Sequence, residues 1–297
     1  MIRQRTGTHS KNILWLSSRL PAHSCWLLIL YSQILFINAF PTIPPPPSTR
    51  LSDALSFSPL PSHARDPVLL HDWSDRLTPY QDAWDTQHRL VDGKLASLAD
   101  SSHEKAAFDS LLLVQHPPTY TLGTGSTPSN ILFDPNDPQN APAALFKTER
   151  GGEATWHGPG QLVAYPVLDL RHYKQDLHWY LRALEEVVIR TLAPLGVRGG
   201  REEGLTGVWV EGRKVAAVGV KVKRWITMHG VALNIDPPME YFRHIVPCGI
   251  GDRPVGSLQE AWERQGKTGK LQVQDVTPLM VKAFEEVFGV ALDSVQD

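Results

Sequence analysis

Residues 207–235 carry the strand pattern that most restricts the possible folds of this chain. Small and β-branched apolar residues run through residues 207–222, and Glu211-Gly212 interrupts them with a dipeptide that suits a tight turn. Residues 225–235 form a third extended segment. Strands joined by so short a turn pair antiparallel, so this region predicts an antiparallel or mixed sheet.

Helical periodicity is clearest in residues 176–195. Apolar residues recur there every three or four positions, and Gly196 follows at the end of the pattern. Thr78-Pro79 predicts the start of another helix, which extends to Ala99. Two further helices are predicted near the end of the chain, at residues 257–264 and 277–288.

Additional strands are predicted at residues 111–115, 119–122 and 161–170. Pro166 lies in the last of these, and a proline cannot donate to a strand ladder, so residues 161–170 are expected to form an edge or bulged strand. No internal repeat and no long linker divides the chain after Val68. The predicted fold class is therefore α+β, a mixed or antiparallel sheet flanked by helices.

Residues 1–65 have the composition of a targeting leader followed by a disordered linker. No acidic residue precedes Asp53, and four basic residues precede the apolar run 25–40, which is short for a membrane span. Proline and serine dominate residues 41–62, which cannot bury enough apolar surface to fold. We expect a single folded domain over residues 66–297.

The leader resembles the two-part presequences of algae with complex plastids, in which a signal peptide precedes a transit peptide. That resemblance implies a plastid location. A mitochondrial presequence is the main alternative, although an amphipathic, arginine-rich helix fits this apolar block less well. A retained signal anchor is a third interpretation.

Charge and residue spacing exclude several classes of function. The formal net charge is -2, the sequence pI is about 6.6, and the densest cationic run is residues 221–224, so no nucleic-acid footprint is indicated. One cysteine after the leader and scattered histidines lack the spacing of a zinc site. Neither a phosphate loop nor a dinucleotide fingerprint is present.

The segment 150–161 contains four glycines among potential ligand-binding side chains. Glycines allow backbone N–H groups to approach a ligand closely, and Arg150, Thr155 and His157 lie between them. The pattern favours a substrate pocket. The alternative is a glycine-rich turn between two strands.

Lys214 begins a row of strand residues that is otherwise apolar. With strict alternation it shares a face with Ala216, Val218, Val220 and Val222, and we expect that face to point to the core. A lysine partly removed from water loses some of its preference for the charged form, and it could accept a proton from a nearby thiol. The alternative is a strand-end lysine whose ammonium group extends to water.

Cys248 is the second of two cysteines, and Cys25 lies in the predicted leader. Pro247 and Gly249 flank Cys248 and prevent a regular helix there, which favours an exposed thiol suited to attack on a thioester. A thiol needs a neighbouring cation or base for activation, and the candidates are Lys214, His157, His229 and His244. A buried, inert cysteine is the alternative.

These segments together resemble the octanoyltransferases of lipoate synthesis. The resemblance covers about residues 79–258, and the plastid and cyanobacterial branch looks most similar. Trp156 departs from the pattern, because the family usually carries tyrosine at that position. The matching segments, in family order, are LLVQHPPTYTLG at 112–123, RGGEATWHGPGQ at 150–161, GLTGVWV at 204–210, RKVAAVG at 213–219, HGVALN at 229–234 and PCGI at 247–250.

The resemblance implies a fold like the catalytic domains of biotin and lipoate protein ligases. It implies that Cys248 takes the octanoyl group from acyl carrier protein as a thioester, that Lys214 assists, and that a lipoyl-domain lysine then receives it. The implied acceptors are the glycine cleavage H protein and the E2 subunits of 2-oxoacid dehydrogenases. The implied pocket consists of Arg150, Gly151, Gly152, Glu153, Ala154, Thr155, Trp156, His157, Ala217, Val218, Gly219, Gly230, Val231 and Ala232.

We expect a monomer that acts without a cofactor or a metal. Two alternatives remain. An ATP-dependent lipoate ligase on the same fold would adenylate a free acid and would need no cysteine. A catalytically silent protein that binds lipoyl domains would need neither Cys248 nor Lys214, and the presence of both argues against it.

Overall fold

The computed structural model describes residues 66–99, 108–137, 140–246 and 254–295. The predicted leader and Cys248 lie outside these ranges. The described helices are α1 (Tyr80–Ala99), α2 (Leu177–Leu192), α3 (Leu258–Arg264) and α4 (Val273–Phe288). The described strands are β1 (Val68–Leu77), β2 (Ser110–Gln115), β3 (Thr119–Leu122), β4 (Ala144–Lys147), β5 (Ala154–His157), β6 (Gln161–Val167), β7 (Val208–Val210), β8 (Arg213–Lys223), β9 (Ile226–Asn234) and β10 (Leu292–Ser294).

Two sheets organise the described residues, and together with the helices they confirm the α+β class. The larger sheet has the strand order β10-β1-β2-β6-β9-β8-β7, and the smaller one has the order β4-β3-β5. Strand β1 pairs parallel with β2 and β10, whereas β2, β6, β9, β8 and β7 pair antiparallel in turn. The predicted hairpin is the β7–β8 pair, which turns at Glu211 and Gly212, both with positive φ.

Helices cover both faces of the larger sheet. On one face, α2 and α4 pack over the main core, which includes Leu184, Val188, Phe284 and Phe288. On the other face, α1 packs against β6 and β9. Within the described ranges, no helix is both long and apolar enough to cross a membrane.

Helix α2 confirms the sequence prediction closely. Asp176 caps its N-terminus by accepting a hydrogen bond from the Trp179 amide, and a 3-10 turn at Ala193–Leu195 ends at left-handed Gly196. Helix α4, in contrast, begins at Val273 and not at Thr277 as predicted. Pro278 was expected in the first turn, but it lies inside the helix, where the buried face that includes Phe284 outweighs one missing hydrogen bond.

The prediction of an edge or bulged strand at residues 161–170 is wrong, because β6 lies between β2 and β9 in the larger sheet and its ladders with both show no register shift. The ladder of β6 with β9 ends at Ala164, two residues before Pro166. Beyond that point Thr227 joins the strands through its side chain, which donates to Pro166 O and accepts from the Leu168 amide. The interior strand β6 therefore tolerates Pro166, because β9 forms no ladder hydrogen bond with β6 at that residue.

Gly160 provides a test of the backbone geometry next to β6. Its φ is +80°, and a Cβ at this position would lie 2.3 Å from Asp236 O. Gly160→Ala should lower the free energy of unfolding by about 2–4 kcal/mol in chemical denaturation. Gly93→Ala in α1 is the matched control: nothing lies within 4 Å of its Cβ position, so a gain of up to about 1 kcal/mol is expected. Equal effects of the two substitutions would contradict this geometry.

Candidate active site

The main cavity lies along one face of the paired strands β8 and β9. Small residues form its floor, because Ala217 pairs with Ala232 and Gly219 pairs with Gly230. The cavity has an empty volume of about 470 Å³, which includes space open to solvent. It is lined by Tyr80, Arg150, Gly152, Glu153, Thr155, His157, Val163, Tyr165, Ala217, Val218, Gly219, His229, Gly230, Val231 and Ala232.

Most of the predicted pocket residues therefore surround this cavity, but Gly151, Ala154 and Trp156 do not line it. Ala154 and Trp156 alternate with Thr155 and His157 along β5, so they belong to the apolar cluster on its other side. Trp156 is fully buried there and stacks on Tyr241 at a ring distance of 5.0 Å.

Arg150 fastens the glycine-rich segment to the smaller sheet. Its Nη2 donates to Thr121 O, to Thr121 Oγ1 and to Glu153 O at 2.8–2.9 Å, and its Nη1 donates to Gly151 O at 3.1 Å. The neighbouring Gly151 amide donates to Val220 O in β8. The guanidinium thus fixes segment 150–153 to the smaller sheet, and the Gly151 amide links the same segment to β8 of the larger sheet.

His157 belongs to a chain of hydrogen bonds whose direction can be assigned. Gln161 Nε2 donates to Trp156 O at 3.0 Å and to Asn234 Oδ1 at 2.8 Å, so Gln161 Oε1 must accept from His157 Nδ1 at 2.8 Å. His157 Nε2 then accepts from Thr121 Oγ1 at 3.1 Å. This assignment follows from the network and leaves both ring nitrogens of His157 engaged.

Burial lowers the pKa of His157 well below its usual value, and the nearby His116 and Arg150 lower it further. The ring is therefore neutral, in agreement with its place in the chain of hydrogen bonds. Of the candidate bases for the Cys248 thiol, His157 is thus occupied in positioning Thr121, not free to take up a proton.

His116 and Tyr165 form a second buried polar pair at the cavity. His116 Nδ1 lies 2.8 Å from Thr78 O and its Nε2 lies 2.8 Å from the Tyr165 hydroxyl, so the first nitrogen donates and the second accepts. Burial lowers the pKa of His116 to about 4 and raises the pKa of Tyr165 well above its usual value. Both groups are neutral near pH 7.

Strict alternation predicted that Lys214 shares a face with the apolar row that contains Ala216. The structure places Lys214 on the opposite face of the strand. Val208 pairs with Ala216 and Trp209 pairs with Lys214, so β8 has one extra residue, Val215, opposite β7. This bulge reverses the alternation and turns Lys214 towards the side of Ala217. The expected burial is nevertheless present, because the lysine is only 8% exposed.

Lys214 lines a smaller adjoining cavity of about 280 Å³ of empty volume. Thr155 and Ala217 line both cavities, so the lysine lies at one end of the main cavity. Phe242 and Val255 complete part of the smaller cavity, and they lie on the two sides of segment 247–253 in the sequence. Cys248 is in that segment, outside the described residues.

The other two histidines that were candidates for thiol activation occupy different places. His229 lines the main cavity at the end remote from Lys214, and His244 is partly buried at the end of the 3-10 turn Met239–His244. No group of three or more potential metal-ligating side chains occurs within the ranges that the structure describes.

Sequence reasoning did not assign Tyr80, Val163 and Tyr165 to the cavity, and it considered His229 only as a base. Val163 and Tyr165 are alternate residues of β6, so a correct interior placement of that strand would have directed both to one face. Tyr80 stacks on His157 at a ring distance of 5.9 Å from the first turn of α1. No local pattern in the sequence signals that contact.

The lipoyl protein ligase A/B catalytic domain matches residues 79–285. An octanoyltransferase from Synechocystis is 54% identical over 214 residues, which cover 72% of this chain and 87% of that protein. The chloroplastic octanoyltransferase of Arabidopsis thaliana is 46% identical over 227 residues, covering 75% of this chain and 79% of the relative.

The structural comparison defines the class. A crystal structure of lipoate-protein ligase A bound with ATP superposes with a TM-score of 0.56 at 14% identity, over 77% of this chain and 90% of that one. The fold is therefore that of the lipoate protein ligases. The chain belongs to the lipoyl protein ligase A/B family and, within it, to the octanoyltransferases.

The lowered pKa of His116 predicts a stability that depends on pH. Between about pH 6.5 and pH 4 the unfolded chain binds a proton at this histidine and the folded chain does not, so the free energy of unfolding falls as the pH falls. Urea unfolding should show a contribution on the order of 3 kcal/mol across this window. His116→Asn should lose that part of the slope, whereas the exposed control His178→Asn should keep it. Equal slopes in the wild type and His116→Asn would contradict the assignment.

Proposed function

We propose that this protein transfers an octanoyl group from octanoyl-acyl carrier protein to a lysine of lipoyl domains, through a thioester on Cys248. The observation that carries the proposal is the identity of 46–54% with octanoyltransferases across most of the described chain. The donor, the acceptor proteins and the roles of individual residues belong to this proposal.

Hydrogen bonds of the residues on either side of segment 247–253 support a role for Cys248 next to Lys214. Val246 makes two hydrogen bonds with Asn130: its amide donates to the backbone Asn130 O at 3.0 Å, and its carbonyl accepts from the side-chain Asn130 Nδ2 at 3.3 Å. The Lys214 amide donates to Pro254 O at 3.0 Å. Phe242 and Val255, which lie on the two sides of this segment in the sequence, both line the cavity that contains Lys214, and this supports the proposed pairing of Cys248 with Lys214.

The proposed reaction has two steps. Lys214 takes the proton of the Cys248 thiol, and the sulfur attacks the octanoyl carbonyl carbon. The bond to the carrier thiol breaks, and the departing thiolate recovers the proton. The neutral amine of the acceptor lysine then attacks the acyl-enzyme, the amide forms, and Cys248 leaves as a thiol after it receives the surplus proton.

The main cavity supplies a suitable place for the acyl chain. Its floor of alanine and glycine lets a hydrocarbon lie against the sheet, and Val163 adds an apolar wall. The two histidines that line it, His157 and His229, are neutral near pH 7, so the chain would meet no imidazolium charge there. Burial of each methylene contributes about 0.8 kcal/mol, which favours a chain over a short acyl group.

The rival functions receive less support. Lipoate ligases share the fold at only 14% identity, whereas the octanoyltransferases share about half of the aligned residues. A silent binding protein would have no need for a buried lysine in a cavity that adjoins the main one. The expected acceptors are the glycine cleavage H protein and dehydrogenase E2 subunits, and the expected state is a monomer without cofactor or metal.

An acyl-enzyme assay without ATP tests the proposed function. Incubation with octanoyl-acyl carrier protein should add one octanoyl group to Cys248, detected by mass spectrometry, and Cys248→Ala should form no adduct. Lys214→Met should slow adduct formation at least about 100-fold. Lys174→Met, on the surface in a pair with Asp176, is the control and should react normally. Activity that appears only after ATP is added would favour a ligase instead.

We further propose that residues 1–65 direct the protein to a plastid and that residues 66–297 form the catalytic domain. The chloroplastic location in the name of the Arabidopsis relative supports this assignment, as does the basic and then apolar composition of the leader. The matched family region begins at residue 79, so the leader lies outside it.

A fusion of residues 1–65 to a fluorescent protein tests the location. In an algal cell with complex plastids the fusion should accumulate in the plastid, whereas the fluorescent protein alone should remain in the cytosol. Mitochondrial fluorescence would contradict the plastid assignment and support the alternative.

A further inference from the structure

The end of the main cavity remote from Lys214 is occupied by a histidine in an unusual conformation. His229 has a φ of +59°, which is uncommon for a residue with a side chain, and it is 1% exposed. Its partner across the sheet is Val220. Regular alternation would place both side chains on the face that packs against the main core, where Val220 contacts it, but His229 lines the cavity on the opposite face.

The backbone of His229 is held from helix α1. The His229 amide donates a hydrogen bond of 2.7 Å to Gln87 Oε1, and Gln87 is fully buried. On the side of β6, Pro166 has no amide that could donate to β9. The residue after His229 is Gly230, where a Cβ would lie 2.1 Å from Ala164 O, so the two strands approach each other closely at this point. The conformation therefore depends on one acceptor from α1 and on the absence of a ladder hydrogen bond at Pro166.

The ring of His229 is not held by hydrogen bonds to the described residues. Neither ring nitrogen has a hydrogen-bond partner there, and Glu149 Oε2 is 3.5 Å from Nε2, too far for a good bond. Glu149 is instead engaged by Trp84 Nε1 at 3.2 Å and His88 Nε2 at 2.9 Å. The hydrogen bond from the His229 amide to Gln87 therefore positions the backbone that carries the ring, and Glu149 is the nearest polar neighbour of the ring.

The ring presents an uncharged surface to the cavity. Burial lowers the pKa of His229, so the imidazole is neutral near pH 7 and can lie against a hydrocarbon. The next residue, Met228, belongs to an apolar cluster with Val91, Val167 and Ile226. Removal of the ring would enlarge the cavity at this end, where Glu149 and Tyr165 are the neighbours of the ring.

The spacing of residues along β8 between the two ends of the cavity matches the length of an eight-carbon chain. Ala217 lies where the lysine cavity joins the main one, and Val220 is the partner of His229. Three residues of strand separate them, which is roughly 10 Å at about 3.3 Å per residue. A staggered chain of eight carbons extends roughly 9 Å from its carbonyl to its methyl carbon.

We propose that His229 is the end stop that sets the maximum acyl length, and that Gln87 is the positioning residue that holds it. The proposal rests on the proposed octanoyl transfer. The methyl end of the acyl chain would contact the ring, and longer chains would be rejected because their terminal methylenes overlap it.

Acyl-length profiles of His229 variants test the stop. Glycine and asparagine both tolerate a positive φ, so His229→Gly and His229→Asn keep the backbone while shortening the side chain in two stages. Transfer to a lipoyl domain is measured as kcat/KM with octanoyl, decanoyl and dodecanoyl carrier protein. The decanoyl to octanoyl ratio should rise at least about 10-fold in His229→Gly, with a smaller rise in His229→Asn. Unchanged ratios in a folded variant that still transfers octanoyl would overturn the stop.

Gln87 variants test the positioning role separately. Gln87→Leu removes the acceptor for the His229 amide and should broaden the acyl-length profile. Gln87→Glu keeps an acceptor oxygen for the His229 amide and should therefore keep the wild-type profile, as measured by the same decanoyl to octanoyl ratio. A merely structural role for Gln87 would lower the melting temperature in both variants and leave that ratio constant, which would overturn this assignment.

The same assays distinguish failure of this inference from failure of the proposed function. Wild-type protein that forms no acyl-enzyme from any carrier thioester would refute octanoyl transfer itself. Wild-type protein that transfers octanoyl and dodecanoyl equally well would refute only the end stop.

Discussion

The register of β8 against β9 is the constraint on which the site depends. Ala217 pairs with Ala232 and Gly219 pairs with Gly230, so small residues meet on the cavity face and valines meet on the core face. A slip of one residue would exchange the faces and fill the cavity with valine side chains. The bulge at Val215 then adds Lys214 to the cavity side without altering this register.

Local patterns predicted the elements whose hydrophobic period and end signals coincide. The β7–β8 turn and helix α2 were of this kind, since each has a turn or cap residue next to a regular apolar repeat. Strands β1, β4, β5 and β10 were missed because each is short, polar or glycine-flanked and is defined by a partner distant in the sequence. The prediction for the strand that contains Pro166 failed for a related reason. The missing amide of Pro166 is accommodated by the adjacent strand β9, which is not paired with β6 at that position.

The candidate site was predicted better in its residues than in its geometry. Motif positions 150–157, 217–219 and 230–232 mostly surround one cavity, yet alternation along β5 removes Ala154 and Trp156 from it. The bulge beside Lys214 and the positive φ of His229 both reverse alternation, and neither leaves a mark in the sequence. Backbone irregularities of this kind depend on tertiary contacts, such as the one between His229 and Gln87.

The proposed stop at His229 would give the main cavity one closed end. An acyl chain would then enter with its methyl end first, and its reactive carbonyl would remain on the side of Lys214. Under that proposal the carrier and the acceptor protein would approach the carbonyl from the same side, one after the other. The order of the proposed reaction would then follow from the shape of the cavity as much as from the chemistry of the thiol.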